Sequence, residues 1–419
     1  MLGEDKLRQF AAREFHKDII RVNGRIACFT CWGHSNVTVI EGDTSLILVD
    51  SLESDARMAR VRAVLAARTD KPVRTLIFTH GHPDHTGGSG ALRGEVRDVI
   101  AHAPVSAPLP YYDRIGTVLG LRTGRQFGYA LPEEELITQG LGPKEGRACG
   151  DGKYDFLTPT EVLSADRTER VIDGVRMVIG AAPGETDDHL FVWLPDDKVL
   201  CCGDTYYSCW PNLYAIRGSQ YRNVAAWISS LDALLGCGAE VLLPGHMLPL
   251  FGADTVRMHL TNYRDAIRHV LFATLDCIDK GMTMSEAAGS VRLPEKLRSL
   301  PYLGEYYGTV AWSVKGIYAG YLGWFDGRPE DLDPVPEKEW AEELIALAGG
   351  KENIAERIRA LYSEGKWQKG LQLCSLLNEA RVPERQLYVR GLRELARLQT
   401  SANGRHFCQV CADDCEASA

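Results

Sequence analysis

The side chains best suited to chemistry lie in one short segment, THGHPDHTGG (79–88), which directly follows an apolar run. Four potential metal ligands fall within six positions: His80, His82, Asp84 and His85. If a strand ends at the start of this segment, the alternate residues His80 and His82 point the same way. Asp84 and His85 then turn toward a second point. The pattern predicts two metal ions about 3.5–4 Å apart with a bridging water.

Two metal ions need more protein ligands than one loop can supply. Three later loops offer them, and each follows an apolar run typical of a strand and contains a glycine. The ligand side chains in these loops are Glu185, Asp204 and His246. The sequence therefore predicts that the site is completed at the carboxyl ends of three further strands.

Five segments, in this order, resemble the metallo-β-lactamase superfamily. They are LILVDS (46–51), THGHPDH (79–85), PGETDDH (183–189), GDT (203–205) and PGH (244–246). Glu185 stands where the superfamily usually has histidine, and Asp204 follows it nineteen residues later, which resembles the alkylsulfatase (sodium dodecyl sulfate hydrolase) branch. PNLYAIRG (211–218) is similar to the HNLYTLRG segment of that branch, and segments 305–310 and 319–327 resemble its dimerisation domain.

The resemblance implies two ligand sets joined by one bridge. The first set is His80, His82 and Glu185. The second set is Asp84, His85 and His246, and the bridge is Asp204. Zinc is the expected metal for nitrogen and oxygen ligands, and manganese or iron are the alternatives. Two such ions lower the pKa of a bridging water and so provide hydroxide at neutral pH. Asp50 is expected to orient a ligand histidine, and His189 to support the ligands without binding metal.

Arg217 is the predicted anion-binding residue, because the matching arginine of the branch contacts the sulfate and a guanidinium group suits a tetrahedral oxyanion. The alternative for Arg217 is an ordinary surface salt bridge. Asn212 and Tyr214 are its candidate neighbours, and Trp312 is a candidate for binding an apolar or aromatic group. Together with Asp84 and Asp204, Arg217 completes the predicted catalytic set.

The group that protonates the leaving oxygen is not defined by the sequence. Two histidines of the branch are replaced here by Pro211 and Trp312, which places the alkyl sulfate itself in question. The tyrosines that could replace them are Tyr111, Tyr112, Tyr206 and Tyr207.

The favoured reaction is hydroxide attack on an ester, foremost a sulfate ester of an organic alcohol. We therefore expect an anionic small-molecule substrate with an apolar part. The enzyme alternatives are hydrolysis of a lactone, a thioester or a β-lactam amide. An alternative of another class is a diiron redox or binding module.

Length and composition exclude several classes. At 419 residues, with 45% hydrophobic and 25% charged residues, the chain is typical of a soluble protein of two or three domains. Its net charge of −9 argues against a nucleic-acid partner. No apolar run approaches the roughly 18 residues of a membrane span. The first residues lack the apolar region of a signal peptide, and a cytoplasmic location is expected. The scattered cysteines are expected to be free thiols.

The elements that position these residues alternate between strand-like and helical patterns. An α/β fold, an αββα metallo-β-lactamase sandwich followed by an all-helical C-terminal region, is expected. The predicted units are a catalytic domain (16–253), a helical dimerisation domain (254–335), tetratricopeptide-like helical hairpins (336–400) and a flexible tail (401–419). The aromatic residues of the second unit predict a homodimer. The tail contains Cys408, Cys411 and Cys415, for which a small zinc knot with His406 is the alternative.

Overall fold

The computed structural model describes residues 2–104 and 111–417. Within them the strands form a seven-stranded and a six-stranded sheet. In chain order the first sheet contains β1 (Asp18–Arg21), β2 (Ile26–Thr30), β3 (Val37–Glu41), β4 (Leu46–Val49), β5 (Val73–Ile77), β6 (Asp98–His102) and β7 (Glu161–Leu163). The second contains β8 (Arg167–Ile172), β9 (Val175–Ala181), β10 (Leu190–Leu194), β11 (Val199–Gly203), β12 (Val241–Pro244) and β13 (Leu250–Phe251).

The helices cover both sheets and form the C-terminal region. In chain order they are α1 (Gly3–Glu14), α2 (Asp55–Ala66), α3 (Pro83–Thr86), α4 (Gly116–Phe127), α5 (Glu133–Leu136), α6 (Val224–Gly236), α7 (Ala253–Asp279), α8 (Met284–Ser290), α9 (Glu295–Arg298), α10 (Val310–Leu322), α11 (Glu337–Leu347), α12 (Lys351–Ser363), α13 (Trp367–Glu379), α14 (Arg385–Leu398) and α15 (Ala402–Ala417).

The apolar residues divide the catalytic part into layers. One buried cluster joins the facing sides of the two sheets, with residues such as Ile47 from β4 and Val192 from β10. A second cluster packs the outer side of the first sheet against Met58 and Val61 of α2. A third packs the outer side of the second sheet against α6 and α7. Strands covered on both faces lose the polar alternation of half-exposed strands, and β4, LILV, is buried along its whole length. The αββα sandwich predicted from the sequence is confirmed.

Two pairs of parallel strands bring the predicted ligands to one edge of the sandwich. Strand β4 pairs in parallel with β5, and β11 pairs in parallel with β12. The histidine loop follows β5, while Asp204 and His246 follow β11 and β12. Because parallel strands end at the same edge of a sheet, each pair delivers its loops side by side.

The prediction of a flexible tail at 401–419 is wrong for the part that the structure describes. Residues 402–417 form α15, whose first half is buried and packs against α4 and α14. His406 is fully buried, and its ring nitrogens lie 3.2 Å and 3.0 Å from the carbonyl oxygens of Gln126 and Leu136. Tertiary contacts made this segment helical where its cysteine spacing predicted no element.

The other general expectations can be compared directly with the structure. All twelve cysteines are free thiols, as predicted. In the described residues, none of the helices has both the length and the hydropathy that crossing a bilayer would require. The proline-rich stretch after α10 contains only a short 3-10 turn at Pro329–Asp331 before α11 begins.

Candidate active site

His80 and His82 form the first half of the site. The Nε2 atom of His80 lies 3.0 Å from the Nδ1 atom of His82. Two nitrogens bound to one tetrahedral zinc at about 2.05 Å would be about 3.3 Å apart, so the pair is spaced to share an ion. Burial lowers the pKa of His80 well below its usual value, and burial followed by the charge of Arg222 lowers the pKa of His82 to about 3. Both rings are therefore neutral near pH 7 and have lone pairs for a metal.

His85 and His246 form the second half together with two carboxylates. Their Nε2 atoms are 3.3 Å apart. The Nε2 atom of His246 lies 3.2 Å from Oδ2 of Asp84 and 3.2 Å from Oδ2 of Asp204. Burial lowers the pKa of both rings, but the carboxylates outweigh it and raise the pKa of His85 well above its usual value and that of His246 to about 10. This half of the site concentrates negative charge that a cation would neutralise.

Asp204 lies between the two halves. Its carboxylate forms one group with His80 and His85 in which the ligand atoms are within 4.8 Å of one another. It also reaches His246 of the second set. A carboxylate in contact with both histidine sets has the position that a bridging ligand requires.

Hydrogen bonds hold the ligand side chains in orientation. Asp50 accepts from Nδ1 of His85 at 2.8 Å and from the backbone N–H of Thr79 at 2.8 Å. The Nε2 atom of His189 accepts from the backbone N–H of Asp204 at 2.9 Å, so this ring supports the bridge and does not face the ligand cluster with Nε2. Both residues make the supporting contacts that metal sites use to fix their ligands.

A glycine lets the backbone approach the cluster. A Cβ atom at Gly245 would stand 2.3 Å from Oδ1 of Asp204 and 2.7 Å from Cε1 of His85. Any side chain at this position would displace a ligand. The close approach of the backbone next to the ligand His246 therefore explains why the PGH segment has glycine at position 245.

Glu185 is buried in the site but paired with a cation. Its Oε1 atom accepts a hydrogen bond from Nη1 of Arg222, and the same nitrogen donates to the carbonyl oxygen of Asn212 at 2.6 Å. Burial raises the pKa of Glu185, although Arg222 opposes this shift. Its Oε2 atom and the Oδ1 atom of Asp204 are buried and have no hydrogen-bond partner among the described residues. Carboxylate oxygens without a hydrogen bond beside imidazole nitrogens fit a divalent ion.

A cavity of about 580 Å³ opens in front of the cluster. Arg217 lines the cavity, and its guanidinium forms no ion pair among the described residues. Its Nη1 atom donates a hydrogen bond of 3.4 Å to the carbonyl oxygen of Gly218. Helix α4 holds its backbone, because the N–H of Arg217 donates to Oε1 of Gln126 at 2.8 Å and Arg122 donates to the carbonyl oxygen of Ile216 at 2.8 Å. The salt bridge considered as the alternative for Arg217 is absent from the described part of the chain.

Three predicted substrate residues do not line the cavity. The backbone of Asn212 binds the hydroxyl of Tyr207 and Arg222, although its Oδ1 atom is buried without a partner among the described residues. Tyr214 packs next to Gly316 of α10, and Trp312 packs next to Gly404 of α15. Packing against neighbouring elements therefore places these three residues outside the cavity lining.

The four tyrosines considered as proton donors also differ in their position relative to the cavity. Tyr112 lines the cavity, whereas Tyr111 is exposed and absent from the lining. Tyr206 and Tyr207 are buried, and their hydroxyls are engaged by His259 and by the N–H of Asn212. Residues 105–110, which precede Tyr111, lie outside the described residues.

The sequence did not reveal several residues of the cavity. His34, Arg222 and Tyr154 line it, and none belongs to a segment that resembled a known motif. Tyr307 also lines it, although its segment resembled the dimerisation domain and gave no sign of a place in the cavity. The ion pair of Arg222 with Glu185 joins positions 37 residues apart, and no local pattern predicts it.

Comparison with known proteins agrees with this geometry. Residues 32–246 match the model of the metallo-beta-lactamase superfamily, and residues 283–418 match that of the alkyl sulfatase dimerisation family. A linear primary-alkylsulfatase of a Pseudomonas sp. strain is 34% identical over 90% of this chain and 73% of its own length. The chain belongs to the metallo-beta-lactamase superfamily, in its alkylsulfatase-like branch. This branch consists of hydrolases that act on sulfuric esters.

Other relatives show the same relationship. The alkyl/aryl-sulfatase of Saccharomyces cerevisiae is 30% identical over 80% of this chain, and an (R)-specific secondary-alkylsulfatase of Pseudomonas sp. is 28% identical over 81%. The chain spans 53% of the length of each of these two proteins. The solved structure of the stereoselective inverting sec-alkylsulfatase Pisa1 from Pseudomonas sp. has a TM-score of 0.89 and 25% identity, and the match covers 99% of this chain and 67% of that one. The likeness therefore includes α15 as well as the sandwich.

Proposed function

We propose that this protein is a dinuclear metal-dependent hydrolase that cleaves a sulfate ester of an organic alcohol. The observation that carries the proposal is the guanidinium of Arg217, which has no ion pair in the described residues and lines the same cavity as His82, Glu185 and Asp204. A cation without a counter-charge beside a metal-type ligand cluster suits an anionic substrate. The alkylsulfatase relatives support a sulfate as that anion.

In this proposal, each residue of the ligand cluster has its own role. His80, His82 and Glu185 would hold one ion, Asp84, His85 and His246 the other, and Asp204 would join them. Two ions there would supply hydroxide at neutral pH and polarise an oxygen of the ester. Zinc is the proposed metal because imidazole nitrogens and carboxylate oxygens meet at this site. Arg222 would hold Glu185 in place, and Asp50 and His189 would orient His85 and Asp204.

The remaining part of the substrate would occupy the wider cavity. Phe127, Leu141 and Tyr307 provide apolar surface, and Arg147 is neutralised by its ion pair with Glu145. We propose an anionic substrate whose alcohol part is apolar. Tyr112 is the proton donor we favour among the four tyrosines, because it lines the cavity.

Arg217→Ala tests the charge of the substrate. The variant should lower kcat/KM for a sulfate ester by about 10- to 150-fold, since a charge-assisted hydrogen bond contributes about 1.5–3 kcal/mol. It should change kcat/KM much less for a neutral carboxylic ester of the same alcohol. Steady-state kinetics with both substrates measure the difference, and metal analysis should show unchanged metal content.

Arg147→Ala is the matched control for this experiment. Arg147 lines the same cavity, but Glu145 already balances its charge. The control should affect the sulfate ester and the neutral ester equally. Equal losses for both substrates in Arg217→Ala would contradict a sulfate-binding role and leave a hydrolase of unknown substrate.

We also propose a homodimer, because a segment of the chain matches a dimerisation family. Of the aromatic residues considered from the sequence, Tyr307 and Tyr318 are buried in their own chain, whereas Tyr321 and Trp324 are exposed. The end of α10 therefore presents free aromatic surface within that segment. The domain boundaries at 253, 335 and 400, and the cytoplasmic location, stay predictions.

Light scattering at micromolar concentration should give twice the monomer mass. Trp324→Glu should shift the protein toward the monomer, because Trp324 is 75% exposed and a charge there would oppose burial of the apolar surface at the end of α10. Val171→Glu on β8, where Val171 is 69% exposed, is the matched control and should leave the mass unchanged. A monomeric wild-type protein would refute the dimer.

A further inference from the structure

His34 lies in the loop between β2 and β3, far in sequence from the four metal-ligand loops. Its ligand nitrogen lies within 4.8 Å of the ligand atoms of Asp84 and His246, and its side chain is buried. These three residues form a second ligand group beside that of His80, His85 and Asp204. Neither the sequence motifs nor the family resemblance assigns a role to His34.

The surrounding loop fixes His34 to both ligand loops of the second set. The neighbouring Ser35 donates to the carbonyl oxygen of Asp84 at 2.5 Å. The Nδ2 atom of Asn36 donates to the carbonyl oxygens of Pro244 and Met247 at 3.0 Å and 2.8 Å, on either side of His246. Three hydrogen bonds from the two residues after His34 therefore hold its loop against both ligand loops.

The hydrogen bonds of the ring define which nitrogen is free. The Nδ1 atom of His34 lies 2.9 Å from the carbonyl oxygen of Pro143. A carbonyl oxygen only accepts, so Nδ1 must carry the proton. In the neutral ring, Nε2 then keeps a lone pair that a metal can use. The group brings one ligand atom each of His34, Asp84 and His246 within 4.8 Å of one another, as the ligands of one ion require.

The same arrangement is found in the predicted ligands of the second set. Nδ1 of His246 donates to the carbonyl oxygen of His34 at 3.0 Å, and Nδ1 of His85 donates to Asp50. A metal-bound histidine commonly donates its other N–H to a carbonyl or a carboxylate, as these three rings do. Buried His102 differs, because both of its ring nitrogens face carbonyl oxygens, those of Ala103 and Ala165 at 2.7 Å and 3.1 Å, and it belongs to neither ligand group.

We propose that His34 is a further ligand of the second metal ion, beside Asp84 and His246. The inference rests on the proposed dinuclear function and extends it to a residue outside the motif loops. Ligand atoms of one ion, each about 2.1 Å from it, stand at most about 4.2 Å apart. The ligand atoms of this group lie within 4.8 Å of one another, and Nε2 of His246 is 3.2 Å from Oδ2 of Asp84. The second ion would then have five protein ligands, counting His85 and the bridge, and the first would have four.

His34→Gln tests the inference by metal content, which does not depend on activity. After zinc loading and dialysis against a weak chelator, the wild type should retain two zinc ions per chain and His34→Gln close to one. The affinity for the second ion should fall at least about tenfold, since even the loss of a supporting contact has that effect. His102→Gln, a buried histidine away from the site, should retain two ions.

The possible outcomes distinguish a failure of the His34 proposal from a failure of the proposed function. If His34→Gln and the wild type retain two ions with equal affinity, His34 is not a ligand and the dinuclear hydrolase stands. If the wild type retains none, the metal mechanism itself fails. A crystal structure of the zinc-loaded wild type provides a test that needs no variant: Nε2 of His34 should lie about 2.0–2.1 Å from the second ion. A separation beyond about 3 Å would overturn the inference.

Discussion

Asp204→Ala should retain at most one metal ion per chain and should lower kcat/KM for a sulfate ester by more than about 100-fold. The loss of a residue that merely supports a metal ligand already costs about 10–100-fold, and Asp204 contacts both histidine sets. Without it, His85 and His246 lose one of the two carboxylates that face them. Elemental analysis of metal-replete protein and steady-state kinetics measure the two effects.

Asp187→Ala is the matched control for the loss of Asp204. Asp187 is an exposed carboxylate that lines the same cavity but lies outside the ligand groups. Its removal should leave two ions per chain. A wild-type protein that holds no metal after loading, or an Asp204→Ala variant that holds two with full activity, would contradict the proposed chemistry.

Arg222→Met should lower the free energy of unfolding of the metal-free protein by about 3–5 kcal/mol, the range for breaking a buried ion pair from one side. The side chains of Arg222 and Glu185 are 5% and 3% exposed, so the remaining carboxylate cannot be solvated. The metal-loaded protein should lose less stability, because a bound ion would neutralise Glu185 in place of the guanidinium. Chemical denaturation with and without zinc measures both values.

Two further variants serve as controls for Arg222→Met. Arg298→Ala removes an exposed partner of Glu295 and should change stability by no more than about 1 kcal/mol. Adding Glu185→Gln to Arg222→Met should recover part of the lost stability, since the buried charge is then absent. Equal destabilisation with and without metal would show that Glu185 and the ions do not interact.

The relation between sequence and structure differs from one part of the site to another. The ligand loops were predictable because each follows its own strand directly, and the alternation of His80 and His82 is a property of local backbone geometry. The αββα sandwich was predictable because strands buried on both faces, such as β4, are continuously apolar. These signals extend over fewer than ten residues and need no knowledge of distant contacts.

Other predictions depended on distant packing, which the sequence does not show. Tyr214 and Trp312 were expected to bind the substrate, but they lie beside Gly316 of α10 and Gly404 of α15 and outside the cavity lining. Residues 402–417 had no recognisable pattern, yet burial of one helix face against α4 and α14 makes them helical. The free energy of such contacts depends on which surfaces meet, and sequence spacing does not contain that information.

By itself, the sequence predicted the metal-ligand loops, the layered fold and an arginine for the anion. Only the tertiary structure decided which residues complete the site. His34 approaches Asp84 and His246 across 50 and 212 positions, Arg222 pairs with Glu185, and Gln126 holds the backbone of Arg217. Ligand loops at strand ends are set by local hydrogen bonding, whereas these contacts exist because two sheets and their helices pack in a single arrangement.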